Sequence, residues 1–279
     1  LLGVAGASSL LLAVATQRGQ QARDALFGLE AALALVQAQS TKVPLSPMLL
    51  LTRGTQLSGD AHGAMHAGAW GLGRAARTEA MLPVRCIDGS AALVRELEMP
   101  FLEAALVVRL YACFVARIAH RRPAASAAGG FSARTAGGHL VSGGTSGLGM
   151  LTGRWLVQNG ARSIVLASRG GVLARTMSTE WEQLRSSVPS RLVRVERCDT
   201  AEPSHIRRLM ALTHRSLGVW HAAGVLADAV LPKQDAATFV RVCAPKMHGA
   251  WTLQLAGASM ALTVSVLFSS IAALLGGSG

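Results

Sequence analysis

The second half of the chain alternates short apolar segments with longer segments of helical periodicity. Residues 163–167 (SIVLA) form an almost unbroken apolar run, which is typical of a strand buried on both faces of a sheet. Residues 147–158 and 202–213 carry apolar side chains three and four positions apart, which predicts helices. Strands that alternate with such helices indicate βαβ units and a parallel sheet, so an α/β fold is predicted. The predicted strands cover residues 140–141, 163–167, 192–198, 218–222 and 263–268.

Two of the predicted helices in this half have recognisable ends. The helix over residues 147–158 is followed by Asn159-Gly160, a typical stop signal. Thr179 and Glu182 have the spacing of a capping box, which predicts that another helix begins there. The apolar side chains that share one face of the first helix are Leu148, Leu151, Trp155 and Leu156.

The first part of the chain follows a looser version of the same pattern. Helices are predicted for residues 29–39 and 61–80, and strands for residues 48–52 and 84–88. The sequence LTRGTQLSGD at the end of the first of these strands is too poor in glycine to hold a pyrophosphate, so this part is expected to be a structural partner. Residues 116–140 are rich in Ala, Ser, Gly and Arg, as in a linker. The predicted division is a structural part, 1–125, a linker, 126–136, and a second part, 137–279.

Composition and charge narrow the class of protein. Of the 279 residues, 51% are hydrophobic and 15% are charged, which is typical of a folded domain. The formal net charge of +12 comes almost entirely from scattered arginines, which favours solvated surfaces that attract acidic ligands over a nucleic-acid interface. Residues 260–279 carry no charge and are long enough to span a bilayer, but Ser269 and Ser270 interrupt them. A buried strand running into a loop is predicted there, with no membrane span.

The spacing of cysteines and histidines argues against disulfides and metal ions. Four cysteines lie far apart with no C-x-x-C pair, which favours a reducing, intracellular compartment and a cytoplasmic location. His62 and His66 are four residues apart, but no third ligand follows at the spacing of a metal site. No metal site is therefore predicted.

The glycine-rich segment VSGGTSGLG, residues 141–149, lies between a predicted strand and a predicted helix. In that context the G-x-x-x-G-x-G spacing indicates a phosphate-binding turn. The glycines allow a tight turn that brings the helix N-terminus, with its free N–H groups and positive dipole end, close to a pyrophosphate. The hydroxyl groups can hold the loop by hydrogen bonds. The predicted dinucleotide-binding residues of this segment are Ser142, Gly143, Thr145, Ser146, Gly147, Leu148 and Gly149.

The end of the next strand selects the nucleotide. An NAD site usually has an Asp or Glu there, which binds the ribose hydroxyls and would repel a 2′-phosphate. Here the strand ends in LASRGG, so Ser168 and Arg169 take that place, and a guanidinium suits a phosphate. NADPH is the predicted cofactor, unless Arg169 is simply a surface arginine, and Asp199 is expected near the adenine. Small residues after the fourth strand would let the cofactor lie across it: Ala222, Ala223 and Gly224.

Six motifs follow one another along the chain: VSGGTSGLG, VLASRGG, ERCDTAEPS, GVWHAAGVLADAVL, CAPKMHGAWTL and VLFSSIAALLG. By their order and spacing, residues 137–279 resemble the ketoreductase domain of modular type I polyketide synthases, within the short-chain dehydrogenase/reductase superfamily. In the first part, PMLLLTRGTQ and AWGLGRAARTEAMLPVRCID resemble the catalytically inert structural subdomain that precedes it. The resemblance implies two Rossmann-like subdomains with doubly wound parallel sheets, the second a truncated short-chain dehydrogenase/reductase fold.

The resemblance also implies an activity and its residues. A β-ketoacyl thioester on an acyl carrier protein would be reduced by NADPH to the β-hydroxyacyl thioester, with other domains of the same synthase as partners. Ser270 would hydrogen-bond the carbonyl oxygen, and Lys246 would lower the pKa of a proton-donating Tyr. The family has that Tyr shortly after Ser270, whereas the sole Tyr of this chain is Tyr111. We therefore expect a C-terminally truncated fragment that has an uncovered sheet edge, binds NADPH and reduces nothing by itself.

Two other interpretations stay open at this point. The equivalent domain of an animal-type fatty acid synthase has similar motifs, and a scaffold module with a decayed site would keep the fold without the catalysis. A Tyr followed four positions later by an Asn, beyond Gly279, would support the enzyme. Leu226-Ala227-Asp228 keeps the final Asp of the Leu-Asp-Asp found in ketoreductases that give one alcohol configuration, which points to the B-type.

Overall fold

The chain forms two compact units in the computed structural model, which describes residues 10–13, 22–56, 66–89, 103–109, 112–117, 132–135, 137–187, 189, 192–212 and 216–275. Most of the predicted linker lies outside the described residues, as do His62 and Tyr111, and the predicted domain boundaries stay a prediction. The first unit comprises Leu1–Arg121, Asp228–Phe239 and Ser270–Gly279, and the second comprises Arg122–Ala227 and Val240–Ser269.

The described residues of the first unit form a five-stranded sheet. Its strands are β1 (Leu10–Ala13), β2 (Met48–Thr52), β3 (Val84–Asp88), β4 (Ala105–Arg109) and β5 (Ala112–Phe114), and its long helices are α1 (Ala22–Ser40) and α2 (Ala67–Ala80). The strands lie side by side in chain order. β1 to β4 are parallel, whereas β5 is antiparallel to β4. Apolar side chains of α1 and α2 cover β2 and β3, and this core includes Val36, Leu50, Trp70, Ala76 and Val84.

A later segment of the chain, Asp228–Phe239, completes the first unit. Leu231 is 3% exposed and packs into the core formed with α1 and α2. Gln37 of α1 donates its amide hydrogens to the carbonyl oxygens of Leu231 (2.9 Å) and Gln234 (3.0 Å). Glu79 of α2 accepts the N–H of Leu231. One buried side chain and these hydrogen bonds therefore fix a segment that the sequence pattern did not assign to this unit.

A buried carboxylate closes the loop after β2. Asp88, at the end of β3, is inaccessible to solvent and accepts hydrogen bonds from the Thr52 hydroxyl (2.8 Å) and the Thr55 N–H (2.9 Å). It also accepts the Gln56 N–H (3.2 Å) and a guanidinium hydrogen of Arg109 (2.9 Å). The N–H groups of this loop are thus already hydrogen-bonded to a carboxylate of the protein itself.

The second unit is also an α/β structure, which confirms the predicted class. The five strands among its described residues are all parallel and lie in the order β10-β9-β6-β7-β8. They are β6 (Gly138–Ser142), β7 (Ile164–Ser168), β8 (Val193–Arg197), β9 (Ser216–His221) and β10 (Ala261–Leu267). The helices that lie wholly in this unit are α3 (Gly147–Gln158), α4 (Ser178–Ser186), α5 (Pro203–Ala211) and α7 (Gly249–Gly257). Helix α6 (Ala236–Cys243) begins in the first unit and ends in the second. The short helix α8 (Ala272–Leu275) belongs to the first unit.

The strand order of this second sheet reverses at β6. From β6 the chain proceeds to β7 and β8 on one side, and then returns to place β9 and β10 on the other side. In open parallel sheets, a ligand crevice forms at such a reversal, beyond the carboxyl ends of the strands. The fold therefore puts the glycine-rich segment, which directly follows β6, at the edge where a ligand would bind.

Two sequence expectations for this unit are wrong. The strand at the C-terminal end is not buried, because β10 is the edge of the described sheet and alternate residues along it are exposed. The capping box is not formed, since α4 begins at Ser178, follows Met177 and has no side-chain cap hydrogen bond. Among the helices within the described ranges, none combines the length and apolar character needed to cross a bilayer.

Candidate functional site

A cavity of about 310 Å³ opens at the carboxyl ends of β6, β7, β8 and β9. Every residue that lines it belongs to the second unit. Five predicted binding residues, Ser142, Gly147, Leu148, Gly149 and Ala222, are not part of the lining. The predicted residues that the structure brings together there are Gly143, Thr145, Ser146, Ser168, Arg169, Asp199, Ala223 and Gly224.

The bend between β6 and α3 requires glycine at two positions. Gly143 has a φ of +69°, and a Cβ on it would lie 2.8 Å from the Cα of Ala223. A Cβ on Gly149 would lie 2.1 Å from the carbonyl oxygen of Gly143. Both distances are too short for a side chain, so the bend is packed main chain against main chain, and Gly143 presents bare main chain to the cavity.

Hydrogen bonds from neighbouring strands and loops hold the bend in place. The Gly144 N–H donates to the carbonyl oxygen of Ala167 at the end of β7 (3.1 Å). On the far side, the carbonyl oxygen of Thr145 accepts the N–H of Ala174 (3.1 Å). Ser146 precedes α3 in an extended conformation and makes no side-chain cap hydrogen bond. The first-turn N–H groups of α3, at the positive end of the helix dipole, can therefore bind an anion.

The loop after β7 supplies a cation at the rim. Arg169 is exposed and lines the cavity. Its neighbour Ser168 is held by main-chain bonds, because its carbonyl oxygen accepts the N–H groups of Gly171 (3.2 Å) and Cys198 (2.8 Å). A helix N-terminus, a glycine bend without side chains and a guanidinium beside one cavity match the chemistry of a phosphorylated dinucleotide.

Other lining residues were not predicted from the sequence. They include Cys198 and Thr200, on either side of Asp199, and Pro245. Burial raises the pKa of Cys198 to about 11, with a smaller contribution from Asp199 against the opposing effect of Arg208. The thiol therefore stays protonated and forms an uncharged part of the wall. The available signal for Cys198 was its position as the last residue of a predicted strand, and the signal for Thr200 was its position next to Asp199.

Lys246 adjoins the cavity, whereas Ser270 belongs to the first unit. Lys246 lies in a π-helical turn, Ala244–His248, that joins α6 to α7. Its Nζ donates to the carbonyl oxygen of Phe268 (3.1 Å), and a Cβ on the cavity residue Gly224 would lie 2.9 Å from its Cε. Within the first unit, the Ser270 hydroxyl oxygen accepts the N–H of Ala272 (3.2 Å). The catalytic roles of Lys246 and Ser270 stay predictions.

Ser142 has a different place from the one its sequence position suggested. It is buried beneath the glycine bend, and its hydroxyl lies 2.5 Å from Nδ1 of His221 at the end of β9. Its carbonyl oxygen accepts the N–H of Ala222 (3.0 Å). Ser142 thus ties the ends of β6 and β9 together.

Comparison with known proteins gives a consistent result. The family model of the KR domain matches residues 137–279. The polyketide synthase GfsA of Streptomyces halstedii is 31% identical over 296 aligned residues, which cover 99% of this chain and 4% of that synthase. The solved structure of the first ketoreductase of the tylosin PKS is 28% identical with a TM-score of 0.80, and an A-type ketoreductase from a modular polyketide synthase is 29% identical with a TM-score of 0.78. The two alignments include 97% and 90% of this chain, respectively, but only 59% and 57% of the solved chains.

Proposed function

Because this chain belongs to the ketoreductase (KR) domains of modular polyketide synthases, we propose that its second unit binds NADPH in the cavity beyond β6–β9. One observation carries this proposal. The glycine bend, the N-terminus of α3 and the guanidinium of Arg169 all border one cavity at the strand-order reversal. Each of these features favours phosphate, and together they match the two phosphate-bearing parts of this cofactor.

In this proposal, different residues of the site bind different parts of the cofactor. The main chain from Gly143 to Gly149, with the hydroxyls of Thr145 and Ser146, would hold the pyrophosphate. Arg169 would bind the 2′-phosphate, and Asp199 would lie beside the adenine. The small residues Ala223 and Gly224 leave room for the cofactor to cross the end of β9.

The proposed reaction is the reduction of a β-ketoacyl thioester, carried by an acyl carrier protein, to the β-hydroxyacyl thioester. Bound NADPH would supply the hydride. Ser270 would donate a hydrogen bond to the ketone oxygen, and the positive charge of Lys246 would favour proton delivery to that oxygen. The chain spans 4% of the Streptomyces halstedii synthase, which supports the proposal that its partners are other domains of one synthase.

The amino-acid sequence of the chain limits the reaction that it can catalyse by itself. Its only tyrosine is Tyr111, outside the motifs of residues 137–279 that resemble the reductase. We therefore propose that the 279 residues bind NADPH without turning over a β-ketoacyl thioester. Consumption of NADPH by the purified chain with such a thioester would contradict this part of the proposal and leave the binding site intact.

The proposed cofactor preference is tested by titrating the chain with NADPH and NADH, using cofactor fluorescence. We expect NADPH to bind at least about tenfold more tightly, because a charge-assisted hydrogen bond to phosphate is missing with NADH. Arg169→Asp should remove that preference by weakening NADPH binding alone. Arg194→Asp is the matched control, since Arg194 is exposed on β8 and outside the cavity lining. Equal affinities in the unmodified chain, or binding of neither nucleotide, would contradict the proposal.

A further inference from the structure

His221, at the carboxyl end of β9, uses both ring nitrogens in a buried network. Its Nε2 lies 2.9 Å from the carbonyl oxygen of Pro245, which can only accept, so Nε2 carries the proton. Its Nδ1 is then the acceptor, and the Ser142 hydroxyl donates to it over 2.5 Å. Burial lowers the pKa of His221, assisted by repulsion from Lys246 and opposed by the bond to Pro245. The neutral ring with its proton on Nε2 satisfies every one of these contacts.

The same residue is connected to both ends of the Lys246 side chain. Pro245 immediately precedes Lys246, so the bond from His221 fixes the peptide group from which Lys246 projects. At the other end, Lys246 Nζ donates to the carbonyl oxygen of Phe268, and the N–H of Phe268 donates to the carbonyl oxygen of His221 (3.0 Å). Between these two points the stem of Lys246 passes close to Gly224.

The turn that carries Lys246 needs such support from outside the helix. Pro245 has no N–H, and its ring conflicts with the regular hydrogen-bond ladder of an α-helix. The chain widens into a π-helical turn instead, in which the N–H of Gly249 donates to the carbonyl oxygen of Ala244. A hydrogen bond from a rigid strand end to the Pro245 carbonyl oxygen therefore restrains a part of the helix that its own ladder holds poorly.

We propose that His221, oriented by Ser142, is the positioning residue of Lys246. His221 is 2% exposed and is not part of the cavity lining, so it acts through Pro245 and Phe268 and not by touching a ligand. The catalytic value of this arrangement rests on the proposed function, in which Lys246 assists proton delivery. The placement of Lys246 itself is independent of that function and can be measured without a cofactor.

The test uses the fact that the chain has only three lysines, Lys42, Lys233 and Lys246. The folded chain is acylated slowly, and the rate at each lysine is read by peptide mass mapping. Lys42 and Lys233 are exposed and serve as internal references. His221→Asn keeps an acceptor for Ser142 but is too short to reach Pro245, whereas the amide of His221→Gln can replace the Nε2 donor.

We expect His221→Asn to raise the acylation rate of Lys246 about threefold to tenfold relative to the two reference lysines, the range expected when a hydrogen bond that restrains it is lost. His221→Gln should stay within about twofold of the unmodified chain. If His221 only stabilised the fold, the two variants would not differ in the acylation rate of Lys246. Equal effects of Asn and Gln, or an unchanged Lys246 rate in His221→Asn, would overturn the proposal.

A second variant tests the proposal if His221→Asn does not fold, which loss of the circular-dichroism signal of its helices would reveal. Ser142→Ala removes the hydroxyl that orients the ring, and we expect a rise of about twofold at Lys246 alone. An unchanged rate in that folded variant would overturn the proposal. NADPH titration of the same samples is read separately: expected acylation rates without NADPH binding would refute the proposed function and leave the positioning role standing.

Discussion

Gly149 sets how closely α3 approaches the bend that follows β6. A Cβ at this position would lie 2.1 Å from the carbonyl oxygen of Gly143 and 2.8 Å from the Cα of Gly144. The contact is main chain against main chain, so no side chain can rotate away to make room. The first turn of α3 stays next to the cavity only while residue 149 has no side chain, and that turn provides the N–H groups for an anion.

Replacing Gly149 by Ala should therefore damage both the fold and the binding of NADPH. We expect a loss of about 1–3 kcal/mol in the free energy of unfolding, as for other overpacked positions, measured by urea denaturation. The affinity for NADPH should fall about tenfold or more, since the shifted helix no longer aims its N–H groups at the pyrophosphate.

Gly71→Ala is the matched control for this substitution. Gly71 lies within α2, and a Cβ there would meet no atom of the described residues within 4 Å. Alanine should stabilise this helix by about 0.5–1 kcal/mol and leave the NADPH affinity unchanged. Unaltered NADPH binding by Gly149→Ala would refute the role given to the glycine bend.

Residue types at the site were predictable from the sequence, but their partners were not. The strand–glycine–helix pattern led to Gly143, and Arg169 was found because it follows the next strand directly. The hydroxyl groups behaved differently from expectation. Ser142 donates to His221, 79 residues away, and Ser146 makes no side-chain cap hydrogen bond. Local spacing identifies main-chain geometry, whereas side-chain partners depend on which strands become neighbours in the sheet.

The packing of α3 shows why an apolar stripe can mislead. Of the four apolar residues predicted to share one face, Leu148, Leu151 and Trp155 are exposed, and only Leu156 is buried. The buried face instead contains Gly149, Met150, Thr152, Gly153 and Leu156. A Cβ on Gly153 would lie 3.0 Å from the side chain of Leu166 in β7, so the helix sits close to the sheet through its small residues. The buried face therefore combines small residues that allow close approach to the sheet with the apolar side chains of Met150 and Leu156.

Two identical substitutions on this helix test that assignment. Leu156 is 0% exposed, so Leu156→Ala should cost about 2–5 kcal/mol in the free energy of unfolding through lost burial and a residual cavity. Leu151 is 49% exposed, so Leu151→Ala should change stability by less than about 1 kcal/mol. Urea denaturation of both variants measures the difference. Equal losses would mean that Leu151 is packed as closely as Leu156 and would contradict the assignment of the buried face.

Elements with strong local signals were predicted well. The bounds of β2, β3 and α3 agree with the prediction residue for residue, and β2 and α3 are defined by an apolar run and a glycine stop. The pair α6 and α7 was not predicted, because Pro245 is a helix-breaking signal and only the π-helical turn lets the helix continue. β5 was also missed, since all three of its residues are exposed and it has no apolar alternation. Burial on an edge strand depends on neighbours far away in sequence.

The two sheets of the molecule differ in their strand order and in the partners of the N–H groups in the loops that follow their strands. In the second sheet, the strand order reverses at β6, and a glycine bend and a helix N-terminus meet the cavity there. In the first sheet, the described strands follow chain order without a reversal, and the loop after β2 gives its N–H groups to Asp88. A parallel sheet binds a nucleotide where free N–H groups meet an open crevice. Only the second sheet combines these conditions within the described residues.

This contrast leads to an expected stoichiometry of one NADPH per chain, measured by isothermal titration calorimetry. Asp88→Asn should keep that stoichiometry and the NADPH affinity, because every residue lining the cavity belongs to the second unit. The same variant should lose about 1–3 kcal/mol in the free energy of unfolding, since an amide cannot accept all the hydrogen bonds that the carboxylate accepts. A second NADPH bound by Asp88→Asn would show that the carboxylate had occupied a working phosphate site, and that the loop after β2 binds nucleotide once its N–H groups are released.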